Sequence, residues 1–310
     1  MKPKVAIWMI TYNQEAYIEQ AILSVVNQKT TFPFILVVGD DASSDRTQEI
    51  IKGLSNQYPD IIHPILRTRN KLVENARSVY DACFDSGADY IALLEGDDYW
   101  CDPHKLQKQV DFLEENEDFV GVHTWQKMTA IKDGNDAFEE FVAPRKDSAG
   151  YNSKVTTDVG NVFRNEVRLK TRTVMYRTVF RLPDWFYSIP YGDVTLSMIA
   201  GKYGKFHFID EETSVYRITG GGLSASVRGT DEQFAQSRLN WIKVWDKGNE
   251  YNEGKYSKEC YKTMCFFYDQ AKKRLGKEHK EILRGIKKYI VEESSLPVNL
   301  KRKFKLRSAF

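Results

Sequence analysis

The chain has 310 residues, 42% hydrophobic and 28% charged, which is ordinary for a soluble globular protein and enough for one large domain with an appendage. A formal net charge of +2 gives no overall signal for nucleic acid, and no apolar run approaches the roughly 20 residues that a membrane span needs. Cys83, Cys101, Cys260 and Cys265 match no zinc spacing and do not make a disulfide framework, and no signal peptide precedes the first strand, so a cytoplasmic protein is expected.

In chain order, the strand-like runs VAIWMI (5–10), FILVVG (34–39), IIHPIL (61–66), YIALL (90–94) and FVGVH (119–123) alternate with helix-like stretches. Those stretches are AYIEQAILSVVNQ, DRTQEIIKGLSNQY, VENARSVYDACFDSG and PHKLQKQVDFLEEN. In the last, Leu106, Val110 and Leu113 share a face and Pro103 suits a first turn. Strands and helices alternating at these lengths predict an α/β fold, a mostly parallel sheet covered on both faces. From about 126 to 170 a polar stretch with interspersed aromatics predicts an ordered insertion. TRTVMYRTVF (171–180) reads as a strand, and a helix opens at Gly192-Asp193. Two further strands, KFHFI and TSVYRI, precede Gly220-Gly221-Gly222, and everything after about 231 reads as helical.

Polar clusters follow three of the strands. Thr11, Tyr12, Asn13, Gln14 and Glu15 follow the first; Asp40, Asp41, Ser43, Ser44 and Asp45 the second; Glu95, Asp97 and Asp98 the fourth. Ligands of open α/β sheets bind beyond the carboxyl ends of strands. Each cluster could also be a set of helix caps, and Asp45 before RTQEII is read as one. Three carboxylates in four positions repel one another and call for a cation. With no His or Cys in the cluster, the suitable ion is Mg²⁺ or Mn²⁺, completed by substrate phosphates.

Taken together, TYNQEAYIEQAILSVVNQ, DDASSDRT and LEGDDYWCDPHKLQKQVDFLEEN resemble the inverting glycosyltransferases of family 2, which have the GT-A fold. The resemblance runs from about residue 4 to 125 and resumes at about 171–223. It implies a GT-A domain over 1–230, with a nucleotide-sugar half (1–125) and an acceptor half with the insertion (126–230), then a helical extension (231–310). It also implies a nucleotide-diphospho-sugar donor, a uridine diphosphate sugar being favoured. Thr11, Tyr12, Asn13 and Glu15 match the first nucleotide-binding segment, Asp40, Asp41 and Ser43 the acidic segment at the base, and Asn70 and Asn75 a donor-side segment. Leu72 stands there where the family usually has glycine, and Thr219 where many relatives have histidine. In the metal motif EGDD, Asp98 is the first choice of ligand, Asp97 serves ribose or metal, and Glu95 takes a place often held by aspartate.

On the sequence alone Asp193 reads first as a helix cap; the resemblance matches it to the catalytic base of the acceptor-side segment. Arg217 falls where it could offset charge on the departing diphosphate. Trp100 is the preferred acceptor-facing aromatic, ahead of Trp125, Tyr151, Trp185 and Tyr187. The implied reaction is a metal-dependent single displacement onto a hydroxyl of a glycan or lipid-linked acceptor, in surface polysaccharide synthesis. The competing reading is a non-catalytic nucleotide-sugar or polysaccharide-binding protein of the same fold. A nucleotidyltransferase or a dinucleotide dehydrogenase would need a glycine-rich loop after strand one, and a serine hydrolase G-x-S-x-G; none is present. The tail KRKFKLRSAF, with five cations and no acid, reads either as a solvated end or as a contact with an anionic membrane surface.

Overall fold

The computed structural model describes residues 2–131, 138–141, 155–219, 229–276 and 279–308. They fall into two compact units: Met1–Asp158 with Leu169–Arg181 and Tyr203–Thr219, and Val159–Arg168 with Leu182–Lys202 and Gly220–Phe310. The linear boundary expected at 230 is therefore not the one the packing draws, because 159–168 and 182–202 join the helical C-terminal part.

The first unit is a mixed α/β sheet: β1 (Val5–Thr11), β2 (Phe34–Asp40), β3 (Ile62–Leu66), β4 (Tyr90–Glu95), β5 (Tyr99–Trp100), β6 (Phe119–Ile131), β7 (Phe138–Phe141), β8 (Thr156–Thr157), β9 (Met175–Arg177) and β10 (Lys205–Ile218). The order β3-β2-β1-β4-β9-β6-β10-β5 places β1 and β4 at the centre, with β7 on β6 and β8 on β10. The six long strands run parallel and the four short ones antiparallel, which is the mostly parallel GT-A sheet expected. β1 and β4 read as unbroken apolar runs because helices cover both faces. Those helices are α1 (Ile18–Val26), α2 (Thr47–Gln57), α3 (Val73–Asp85) and α4 (Lys105–Glu115). α1 buries Ile18, Ala21, Ile22 and Val25, the one-sided spacing of a helix packed on a sheet. Pro64 is tolerated in β3 because β3 is an edge strand.

Three local expectations are corrected. TRTVMYRTVF holds only the three-residue β9, preceded by a 3₁₀ turn at Thr171–Thr173 that aims Arg172 at the acidic motif instead of extending a ladder. KFHFI and TSVYRI are one strand, β10, whose pairing with β6 slips between Ile209 and Ser214, so the polar DEE is a bulge and not a turn. β6 runs on to Ile131, so the expected insertion begins as strand, and β7 pairs back onto it. Tyr151 lies outside the described residues.

The second unit is helical: α5 (Val159–Phe163), α6 (Gly192–Ala200), α7 (Asp231–Tyr251), α8 (Ser257–Leu275), α9 (Lys280–Lys288) and α10 (Val298–Arg307). Thr230 opens α7 with a complete capping box, its hydroxyl on the Gln233 N–H and the Gln233 side chain on the Thr230 N–H. Trp241 and Trp245 fill the core of this unit, Trp241 stacked on Tyr191 and Phe267 and Trp245 meeting Phe267 edge-on. Among the described residues no helix is long and apolar enough to cross a membrane.

Candidate active site

The loops after β1 and β2 lie side by side at the carboxyl ends of their strands and are laced together. The Asn13 N–H donates to the Ser43 hydroxyl at 2.8 Å and Asn13 Oδ1 accepts the Ser44 N–H at 2.8 Å. The Gln14 N–H reaches the Thr47 hydroxyl at 2.9 Å, and the Glu15 N–H reaches Asp45 at 3.0 Å. Asp45 also takes the Thr47 N–H at 3.0 Å, but Arg46 holds the N-cap position of α2 and no side chain caps that helix, so Asp45 ties the two loops and is not the cap read from the sequence. Thr11 donates to Gln14 Oε1 at 2.7 Å. Asn13 (φ 51°) and Ala42 (φ 65°) adopt the left-handed conformation that lets the loops turn this tightly.

These contacts sort the expected nucleotide residues. Asp40 is fully buried and accepts from the Ser43 N–H at 2.9 Å, the Gln48 amide at 2.6 Å and the Ser43 hydroxyl. Asp41 accepts the Lys71 and Leu72 N–H groups, each at 2.7 Å, and so holds the loop between β3 and α3. Asn75 is buried and donates to the Gly39 carbonyl at 3.1 Å. Asp40, Asp41, Ser43 and Asn75 are thus spent on shaping the cleft, which corrects the expectation that Asp40 offers its carboxylate to a base. Tyr12, Asn13, Glu15 and Asn70 are the members that stay exposed, Glu15 pairing with Arg46. Leu72 sits at φ 24°, a strained value for a residue with a side chain, at the place where the resemblance leads one to expect glycine.

The acidic motif after β4 is organised by a residue that the sequence reading missed. Arg172 is buried; its Nε donates to Asp98 Oδ2 at 2.5 Å, one Nη to Glu95 at 3.0 Å and the other to Gln126 at 2.7 Å, and its guanidinium lies 4.1 Å from the Tyr216 ring. The second Asp98 oxygen accepts the Arg217 N–H at 2.9 Å. Burial pushes the Asp98 carboxyl up, Arg172 pulls it down, and Glu95 and Asp97 push it up again. With each oxygen already accepting an N–H, the geometry holds the ionised form; burial likewise opposes the charge on Arg172, but Asp98 and Glu95 keep it protonated. The cation beside Asp98 in this structure is an arginine, and both oxygens of the expected metal ligand are engaged by N–H donors.

Asp97 is different. It is half-buried, its carboxylate pairs with no other side chain among the described residues, and burial together with the Glu95 charge pushes it above the usual carboxylate range. No group of three His, Cys, Asp or Glu side chains converges as a self-sufficient metal site among the described residues. The donor set that remains, Asp97 with the outer part of Glu95, is all oxygen and suits a hard divalent ion that takes one or two carboxylates and completes its shell with phosphate and water.

Arg217 corrects a second expectation. It is buried, with its guanidinium donating to the Asp97 carbonyl at 2.8 Å and to the Gln20 side chain, between the rings of Tyr99 at 4.5 Å and Tyr17 at 5.3 Å. It braces the acidic turn more than it faces a ligand. Trp100 is only 4% exposed and donates from Nε1 to the Arg172 carbonyl at 3.0 Å, so it is chiefly a core residue. Its edge and Tyr99 line an open cleft of about 490 Å³ with Glu15, Glu19, Gln20 and Ser24. Trp125 is tied to Asp210 at 2.9 Å, and Trp185 packs on Tyr251. Tyr187 meets Phe186 edge-on.

Asp193 belongs to the second unit, in the first turn of α6. The residue ahead of that helix is Tyr191, in the left-handed conformation, and no side chain caps the helix. The Asp193 carboxylate is half-buried and forms no ion pair or hydrogen bond among the described residues, so the capping alternative is not what this geometry presents.

The first unit is thus a mostly parallel α/β sheet with interlocked polar loops and an acidic turn beyond its strands, and comparison with known proteins specifies the family. The chain matches the family model "Glycosyl transferase family 2" over residues 6–166, more than half of its length, and belongs to that family. An uncharacterised protein of Mycobacterium bovis is 45% identical over 106 residues, 34% of this chain and 30% of that protein, so the match spans under a third of that relative's length. An uncharacterised glycosyltransferase of Nostoc sp. is 28% identical over 240 residues, 76% of this chain and 71% of that one. Among solved structures, S. aureus TarS 1-349 in complex with UDP-GlcNAc superposes with a TM-score of 0.66 at 15% identity, over 99% of this chain and 87% of that one, a likeness of fold.

Proposed function

We propose that the chain is a metal-dependent inverting glycosyltransferase that moves a sugar from a nucleotide-diphospho-sugar to a hydroxyl of a glycan or lipid-linked acceptor. The observation that carries the reading is the acidic turn after β4: Arg172 neutralises Asp98 and leaves Asp97 with an open carboxylate beside the two interlocked loops. That is an arrangement for receiving a cation with a bound anion. Glu95 and Asp97 would hold Mn²⁺ or Mg²⁺, and the bound ion would offset charge on a diphosphate. The ligand of S. aureus TarS supports a uridine diphosphate donor. A cytoplasmic location and a role in surface polysaccharide synthesis belong to the same proposal.

Within this reading the exposed Tyr12, Asn13 and Asn70 meet the nucleotide, and the buried Asp40 and Asp41 hold the loops that present them. Asp193 takes the proton of the acceptor hydroxyl onto a carboxylate oxygen. The hydroxyl oxygen attacks the anomeric carbon as the bond to the diphosphate breaks on the opposite face, which inverts the configuration. What supports Asp193 is its uncommitted carboxylate in the first turn of α6, where the helix dipole favours an anion and the absence of a capping bond leaves it available.

The test is release of nucleoside diphosphate and glycosylated product from a panel of donors and acceptors. Asp193→Asn is expected to lower kcat by about 10²–10⁴ while leaving donor affinity in place. Unchanged turnover in that variant, or donor binding by the wild type with neither transfer nor hydrolysis, contradicts the reading.

A further inference from the structure

The inner face of α10 is fastened to its own unit. Phe304 is fully buried, with its ring 5.1 Å from that of Tyr268; Arg307 pairs with Asp269, and Lys303 stands 5.6 Å over the Tyr261 ring. The outer face carries Arg302, Lys305 and two aliphatic tips, Val298 at 65% and Leu306 at 71% exposure. Eight positions apart, the tips lie about 12 Å from each other along the helix. Arg302, Lys303 and Lys305 have no acidic partner within salt-bridge distance among the described residues. Between 280 and 307 there are nine basic residues against three acidic ones, in a chain whose net charge is only +2.

Singly exposed aliphatic residues need no explanation, and a row of cations is usually a solvated face. The combination is more specific. We propose that the outer face of α10 docks on the surface of an anionic lipid bilayer, with Arg302 and Lys305 among the headgroup phosphates and Val298 and Leu306 entering the headgroup boundary. Charge complementarity selects an anionic partner, and the aliphatic tips select one with an apolar layer beneath its charge. A nucleic acid would engage the cations but give nothing to Val298 and Leu306, and among the described residues α10 itself offers no exposed aromatic ring for stacking on a base. Phe266, exposed on α8 one turn before Asp269, adds an apolar residue near the Arg307 end of this face. Membrane docking is read without turnover, so it stands or falls separately from the transfer reaction.

The experiment is co-sedimentation of the full chain with phosphatidylcholine vesicles, with and without phosphatidylglycerol, at low and high salt. Binding is expected only with the anionic lipid, and weaker at high salt. The variant Arg302→Gln/Lys305→Gln should lower the partition coefficient on the order of 30-fold, given the contribution of about 1 kcal/mol from each cation near such a surface. Val298→Ser/Leu306→Ser should lower it on the order of 10-fold with the melting temperature unchanged, since both side chains are exposed. Neutralising Lys255 and Lys258, exposed elsewhere in the same unit, should leave it within about twofold. The proposal is overturned if the wild type does not sediment with anionic vesicles. It is also overturned if Val298→Ser/Leu306→Ser binds as tightly as wild type, which would make the face a general polyanion contact, or if the Lys255 and Lys258 control weakens binding as much as the α10 variants.

Discussion

Arg172 is where the acidic motif is balanced. Replacing it by methionine would leave Asp98 buried with one donor and no counter-charge, and such losses cost about 3–5 kcal/mol. Arg172→Met is therefore expected to unfold at lower denaturant concentration, and Arg172→Met/Asp98→Asn to cost less than the two single changes added together. Strict additivity in that cycle would contradict the pairing. His123 supplies a pH dependence of known sign. Burial, with a smaller push from the charge of His207, lowers its imidazole to about 3. The unfolded chain takes up this proton first, near pH 6.5, so stability present above that pH is lost progressively as pH falls toward about 3. His123→Leu should flatten this part of the stability–pH curve, and an unchanged slope between pH 6 and roughly 4 would contradict it.

At the scale of elements, the site depends on how closely α3 approaches β2. Gly39 stands one residue before Asp40, and a Cβ there would collide with the Val79 methyl and the Asn75 side chain, both buried. Alanine is ordinarily no worse than glycine in a strand, yet Gly39→Ala is expected to cost about 1–3 kcal/mol by forcing α3 outward. A gain in stability would refute that packing. The parallel strands and their helices were legible because each is a local pattern: an apolar run, then polar loop residues, then a one-sided helix. β9 and β10 were not, since a β-branched run does not reveal that a turn inside it serves a distant carboxylate, nor does DEE reveal whether it is a turn or a bulge. The same limit hid Arg172, which lies 74 residues from Asp98. Its one local signal was an arginine, one of two with Arg177, inside a run otherwise apolar and hydroxylic.

For the molecule as a whole, the three loop clusters were correctly expected at one rim of the sheet, but their division of labour was not. A sequence marks carboxylates without saying which are consumed by loop amides, as in Asp40 and Asp41, which meet an internal cation, as in Asp98, and which stay open, as in Asp97. That division is the core of the functional account. It predicts a donor site that needs Asp97 for its ligand and Asp98 for its structure.

The measurement that tests this most directly is a thermal-shift titration of wild type and Asp97→Asn with uridine, guanosine and deoxythymidine diphosphate sugars, each with and without Mn²⁺. At 100 times its dissociation constant a ligand should stabilise the fold by about 2.7 kcal/mol. The account predicts that one nucleotide-sugar raises the melting temperature of wild type in the presence of the metal, and that Asp97→Asn keeps its unliganded stability while losing the response. If Asp97→Asn responds as wild type does, or if no nucleotide-sugar shifts the wild type, the open carboxylate after β4 is not the donor's anchor.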